Sequence, residues 1–341
     1  MANCLIPDHY PNQIDITRTP LAFGDRAVPR LNRELQNKTT LLTRQRALRS
    51  LCDYLHDPEH IASCIEENIP ESLKELLSDS DAFCRYKSAE CLYVLSCNSN
   101  GRRAIVDQGI VKNLSVLFDD KEVMARRNSH KAVEMISEFS FGSEGIVNLN
   151  LIKTLVDKLK TELDDIRDLI LDTLHFCMQV DTSQALEAKA MEVFTNLLKH
   201  ESQTIRAKAA RDIFDLSIPL EGKNEALKLE TIALLVGLLK DQDSVVRCKA
   251  ALAIEAIAIT TPGKYGCIKA GAVPSLVALI DDSLSEMRVN ALKAITCLAE
   301  APEGRKALLE DVEKIKKLIS DPVPIVSKHA AISVRIITWK P

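Results

Sequence analysis

Apolar residues along the chain fall in short helical runs separated by polar turns. Leu73 to Leu77, Leu114 to Leu117, Leu235 to Leu239 and Leu276 to Ile280 place Leu or Ile three and four positions apart, the spacing that lines one face of a helix. An acidic or polar turn follows, such as Ser78-Asp79-Ser80-Asp81 or Lys240-Asp241-Gln242-Asp243, made of residues that cap helix starts. Next comes an Arg-led motif and a helix rich in Ala, Leu and Ile: Arg85-Tyr86-Lys87-Ser88-Ala89, Arg206-Ala207-Lys208-Ala209-Ala210, Arg247-Cys248-Lys249-Ala250-Ala251 and Arg288-Val289-Asn290-Ala291-Leu292. Gly101 and Gly263 each open a short third helix, and Ala270-Gly271-Ala272-Val273-Pro274 links one unit to the next.

The leading arginines form a series, Arg44, Arg85, Arg126, Arg167, Arg206, Arg247 and Arg288, spaced by 41, 41, 41, 39, 41 and 41 residues, and 39 more reach Ser327. Such a period is the signature of stacked helical repeats, each burying its apolar face only against its neighbours. Eight copies account for nearly the whole chain. The expected organisation is an extended N-terminal arm over 1–27 and one repeat domain over 28–341, with units starting near 28, 71, 111, 152, 191, 231, 273 and 312. Length alone would have suggested about two globular domains of ~150 residues. Composition supports helix: 11 Gly and 13 Pro among 341 residues, with 4% aromatics, supply too few turn and strand formers for a sandwich or barrel.

This three-helix unit resembles the armadillo repeat, best from Gly263 to Glu300 and least from Ile152 to Gln179. The resemblance implies an all-α, right-handed α-solenoid of about eight armadillo-type repeats. The arginine ladder then reads as structural. Nearly every member has Asp or Glu in the turn just before it, as Asp81 precedes Arg85 and Asp243 precedes Arg247, which suits ion pairing and turn fixing.

In that family, import adaptors and catenins hold extended peptides with Trp and Asn arrays in a groove along the third helices. Here the corresponding Trp positions carry Arg49, Glu90, Lys131, Asp172, Arg211, Leu252 and Lys293. The Asn positions carry Asp53, Val94, Met135, Phe176, Asp215, Ala256 and Cys297. Neither array is present, so a nuclear-import adaptor is not expected. Val94, Met135 and Phe176, in three successive units, read either as an apolar stripe that receives a partner helix or the N-terminal arm, or as core residues.

Charge changes the picture little. Lys plus Arg is 44 and Asp plus Glu is 48, a formal charge of −4, without the basic excess that nucleic acid selects. No run of eighteen apolar residues exists and the first residues lack a signal-peptide pattern, so neither membrane insertion nor secretion is expected. The ten cysteines contain no Cys-x-x-Cys pair and read as buried free thiols. No phosphate loop, dinucleotide fingerprint, His-Glu-x-x-His or Gly-x-Ser-x-Gly occurs. His56 and His60 with Asp53 and Asp57 have metal-ligand chemistry, but Asp57-Pro58 is expected to break the helix that would align them. No catalytic residue, metal, cofactor or small-molecule substrate is therefore expected.

The lead-in, Ile14-Asp15-Ile16-Thr17-Arg18-Thr19-Pro20-Leu21-Ala22-Phe23-Gly24-Asp25 through Leu35, with Leu42-Thr43-Arg44-Gln45-Arg46-Ala47-Leu48 and the late segment Leu298 to Leu308, resembles the armadillo-repeat proteins of the ciliary radial spoke. That resemblance implies a non-enzymatic subunit whose partners are other radial spoke subunits, in the axoneme of a motile cilium or flagellum. Ile14, Asp15 and Phe23 are then candidates for a docking arm. A generic cytosolic armadillo scaffold would share every repeat-level feature.

Overall fold

The computed structural model describes residues 24–36 and 38–340. The arm candidates Ile14, Asp15 and Phe23 lie outside the described residues. Among those residues no strand forms, and no helix is both long and apolar enough to cross a membrane.

Eight long helices carry the repeat: α1 (Leu41–Leu55), α2 (Ala82–Ser96), α3 (Val123–Ser137), α4 (Asp164–Met178), α5 (Gln203–Leu216), α6 (Ser244–Ala258), α7 (Ser285–Ala299) and α8 (Pro324–Ile337). The polar turns cap several of them. Thr40, Asp81, Glu122 and Asp243 accept from N–H groups in the first turns of α1, α2, α3 and α6, each cap contributing about 1 kcal/mol. Pairs of short helices connect the long ones, as in Thr261–Lys269 and Ala272–Leu279. The residue between the two short helices is left-handed at Asn68, Gly109, Asn150, Lys189 and Gly271, which reverses the chain in one step.

The chain divides into two compact units, Met1–Ile110 and Val111–Pro341. In the first, α1 packs on α2. In the second, each long helix from α3 to α8 packs on the next. Small residues make that stacking close: Ala209 and Ala210 of α5 and Ala250, Ala251 and Ala253 of α6 have no exposed surface. The largest fully buried side chains include Leu48, Leu51 and Leu92 in the first unit and Phe118 and Phe194 in the second.

Two regularities tie the short helices to the long ones. A Cβ on Gly101, Gly142, Gly222, Gly263 or Gly304 would meet the carbonyl oxygen of Leu95, Ile136, Leu216, Ile257 or Leu298 at 1.7 to 2.1 Å, so only Gly lets the short helix close on the preceding long one. Beside the glycine, a cation serves the C-terminal end of that long helix in several repeats. Arg102 donates to the Ser96 carbonyl at 2.8 Å, Lys223 to Ile218 at 2.6 Å and Arg305 to Ala299 at 3.1 Å, where the helix dipole favours positive charge.

Candidate functional site

Each ladder arginine spends one end of its guanidinium on the turn before it. Nη1 of Arg85, Arg206, Arg247 and Arg288 donates to two successive carbonyls of that turn, as Arg206 does to His200 at 2.9 Å and Glu201 at 2.7 Å. Arg44 and Arg126 make one such bond each, to Thr39 and Asp120. The paired carboxylate comes from the turn of the following repeat: Arg44 meets Asp79, Arg126 meets Glu162, Arg206 meets Asp241, Arg247 meets Asp282 and Arg288 meets Asp321. The acids just before each arginine have another task, since Asp81 and Asp243 cap α2 and α6. A single aspartate thus joins two rungs. Asp241 takes Arg206 on its carboxylate and Arg247 on its backbone carbonyl.

Arg167 departs from this pattern. His200 stands where the acid belongs, and Arg167 instead holds Asp164 at 2.8 Å. The Ser202 N–H donates to His200 Nδ1 at 3.1 Å, which puts the ring proton on Nε2, facing Asp164 at 3.3 Å.

The groove candidates lie on the long helices beside the ladder, not on the short helices that glycine opens. Val94 of α2 is 6% exposed and lines a cavity of about 250 Å³ with Leu55, Ile61 and Tyr93. Met135 of α3 and Phe176 of α4 occupy equivalent positions on neighbouring helices of the second unit, and both are half-buried. The His56–His60 grouping does not assemble on one helix. His56 caps the end of α1 and Asp57 the start of Pro58–Glu66, while His60 stacks on Tyr54 at 3.8 Å and bonds its carbonyl through Nδ1. Among the described cysteines all are free thiols, and burial pushes Cys64, Cys84, Cys177 and Cys267 up to about 12.

The densest polar network joins α4 to α5. Lys208 holds Asp172 at 2.6 Å and Asp168 at 2.7 Å, and Arg211 bridges Asp172 at 2.8 Å and Asp212 at 2.9 Å while also bonding the Leu171 carbonyl. His175 Nδ1 donates to Asp215 Oδ2 at 2.6 Å. Asp212 is fully buried and its Oδ2 has no hydrogen-bond partner. Burial raises its carboxyl well above the usual range, Arg211 pulls it down, and Asp215 and Asp172 add repulsion. Glu134 of α3 faces the same network; burial, with the charges of Asp172 and Glu138, pushes it up to about 7. A cleft of about 330 Å³ beside this network is lined by Lys208, Arg211 and Lys249, but each cation is committed, Lys249 to Glu286 at 2.7 Å.

Sequence motifs did not reveal this network because its members come from helices about 40 positions apart. One signal was present: Asp212 follows its ladder arginine by six, where the other long helices have Ser50, Cys91, Ala132, Thr173, Ala253 and Ala294.

No family model matches the chain. Two crystal structures of engineered proteins from the Northeast Structural Genomics Consortium are similar to it. One superposes with TM-score 0.84 at 24% identity, covering 91% of this chain and 78% of its own. The other gives 0.64 at 22% identity, covering 68% of this chain and 99% of its own. With the helix order above, this likeness defines the class: an all-α solenoid of short-short-long helical repeats.

Proposed function

We propose that the chain is a non-enzymatic, protein-binding subunit of the axonemal radial spoke that supports spoke assembly and ciliary or flagellar motility. The observation that carries this reading is the lead-in from Ile14 to Leu35 with Leu42 to Leu48 and Leu298 to Leu308, which resembles the armadillo-repeat radial spoke proteins. The fold supports a scaffold. Stacked repeats share a continuous core and offer surface along many units, and arginine bridges between successive turns stiffen that stack. Other radial spoke subunits are the partners this reading implies; nucleic acid, membrane and small-molecule substrates have no part in it.

The test is fractionation of motile cilia. The chain should remain with the axoneme after detergent, leave it in high salt and co-purify with spoke subunits. Recovery only in the soluble cytoplasm would replace this reading with that of a general cytosolic scaffold. Within the spoke reading, Met135→Glu should weaken partner capture while the helical circular dichroism stays unchanged.

A further inference from the structure

Asp212 breaks the rule of its own repeat. A position that six other long helices fill with Ser, Cys, Ala or Thr holds a carboxylate without exposed surface. Arg211 satisfies Oδ1 at 2.9 Å, and Oδ2 is left with nothing. An unsatisfied buried carboxylate oxygen is costly, so its position calls for a ligand. Two other donors converge there. A ring nitrogen of His175, from α4, and carboxylate oxygens of Asp212 and Asp215, one turn apart on α5, lie within 4.8 Å of one another.

We propose that His175, Asp212 and Asp215 bind one divalent transition-metal ion of the zinc class. The donor set selects the ion. One imidazole and two carboxylates suit zinc and its neighbours, whereas calcium takes six to eight oxygens and magnesium an octahedron of oxygens. Zinc bonds of roughly 2.0 to 2.2 Å place tetrahedral donors about 3.4 Å apart, so the three side chains need close by only about 1 Å. The His175 side chain is 20% exposed, which leaves an entry path and room for water as a fourth donor.

Charge points the same way. Five carboxylates, Glu134, Asp168, Asp172, Asp212 and Asp215, share this region with two cations, Lys208 and Arg211. A dication makes up that shortfall. When it binds at Nδ1, the proton that His175 now shares with Asp215 passes to Nε2, 3.0 Å from the Gln179 amide, whose oxygen accepts it once the amide is turned.

The experiment uses the full chain, stripped with chelator, and zinc chloride as the probe, followed by calorimetry and thermal melting. One zinc per chain should bind and raise the melting temperature, with magnesium and calcium ineffective. Asp212→Ala restores the small residue found at Ala253 and Ala294, and should fold normally while losing at least about 100-fold in zinc affinity. His175→Ala, at the accessible edge, should lose as much and serves as the second variant. Cys97→Ser removes the exposed thiol and should change nothing. Sub-stoichiometric binding by the wild type, or wild-type affinity in either ligand variant, overturns the assignment. So does loss of zinc in Cys97→Ser alone.

Discussion

Removing one rung of the ladder gives the sharpest test of how the repeats are held together. Arg206 meets both oxygens of Asp241 at 2.9 and 3.0 Å and two carbonyls of its own turn, with side-chain exposures of 18% and 9% for the two partners. Burial raises Asp241, but Arg206, the Asp243 N–H and the charge of Arg247 outweigh it and hold its carboxyl below the usual range. Fully exposed ion pairs contribute about 0 to 1 kcal/mol, whereas stripping one partner from a buried pair costs about 3 to 5 kcal/mol. Arg206→Ala lies between these limits and also orphans two carbonyls, so about 3 kcal/mol is expected. Asp241→Ala should cost less, about 2 kcal/mol, because Arg206 keeps its backbone acceptors. The double variant should reveal a coupling of roughly 1.5 to 2 kcal/mol by urea unfolding, and hydrogen exchange should place the weakening at the two turns. A cost below about 0.5 kcal/mol for Arg206→Ala, or coupling near zero, would refute the account and leave the ladder as a solvated surface row.

Other consequences follow from single positions. Gly263→Ala should destabilise by about 1 to 3 kcal/mol in chemical denaturation, because its Cβ would lie 2.0 Å from the Ile257 carbonyl oxygen; Gly237→Ala, with open space around it, should be neutral or better. His130 is stacked on Phe118 with no partner for either ring nitrogen, and burial, then Lys158 and Arg126, push it down to about 3. The unfolded chain titrates near 6.5, so it binds more protons than the native state between about 6.5 and 3, and His130→Leu should remove a loss of stability as pH falls through that window. Glu134 has the opposite sign. With its native value raised to about 7 and an unfolded value near 4.3, the native state binds more protons in between, so stability falls as pH rises there, and Glu134→Gln should flatten that slope in melts from pH 4 to 8.

What sequence could reveal depended on whether a feature repeats within one unit or crosses between units. The arginine period, the leucine runs and the capping acids are local, and the helices form around them. The partner of each arginine is not local. Arg206 and Asp241 are separated by 35 positions, while Asp243, the acid nearest Arg247 in sequence, is occupied with capping α6. The groove positions were legible by counting but not by helix, since the long helix carrying the arginine also carries Val94, Met135 and Phe176. The cation after each glycine was visible as Gly101-Arg102, Gly222-Lys223, Gly263-Lys264 and Gly304-Arg305, yet its acceptor at the end of the preceding helix was not.

The departures from the repeat gather around α4 and α5. The arginine spacing shortens to 39, Ser183 stands where five other repeats place the close-packing glycine, and His200 replaces the turn aspartate facing Arg167. Asp212 then puts a carboxylate where the rest of the series has a small side chain. Random decay of a repeat would scatter polar residues over exposed positions, where they cost little. Here they include a fully buried aspartate and a His–Asp pair, the substitutions least tolerated without compensation. A stack built from near-identical units gains a distinct site only by breaking its own pattern, and the place where stability rules are violated most is where a ligand has most to offer in return.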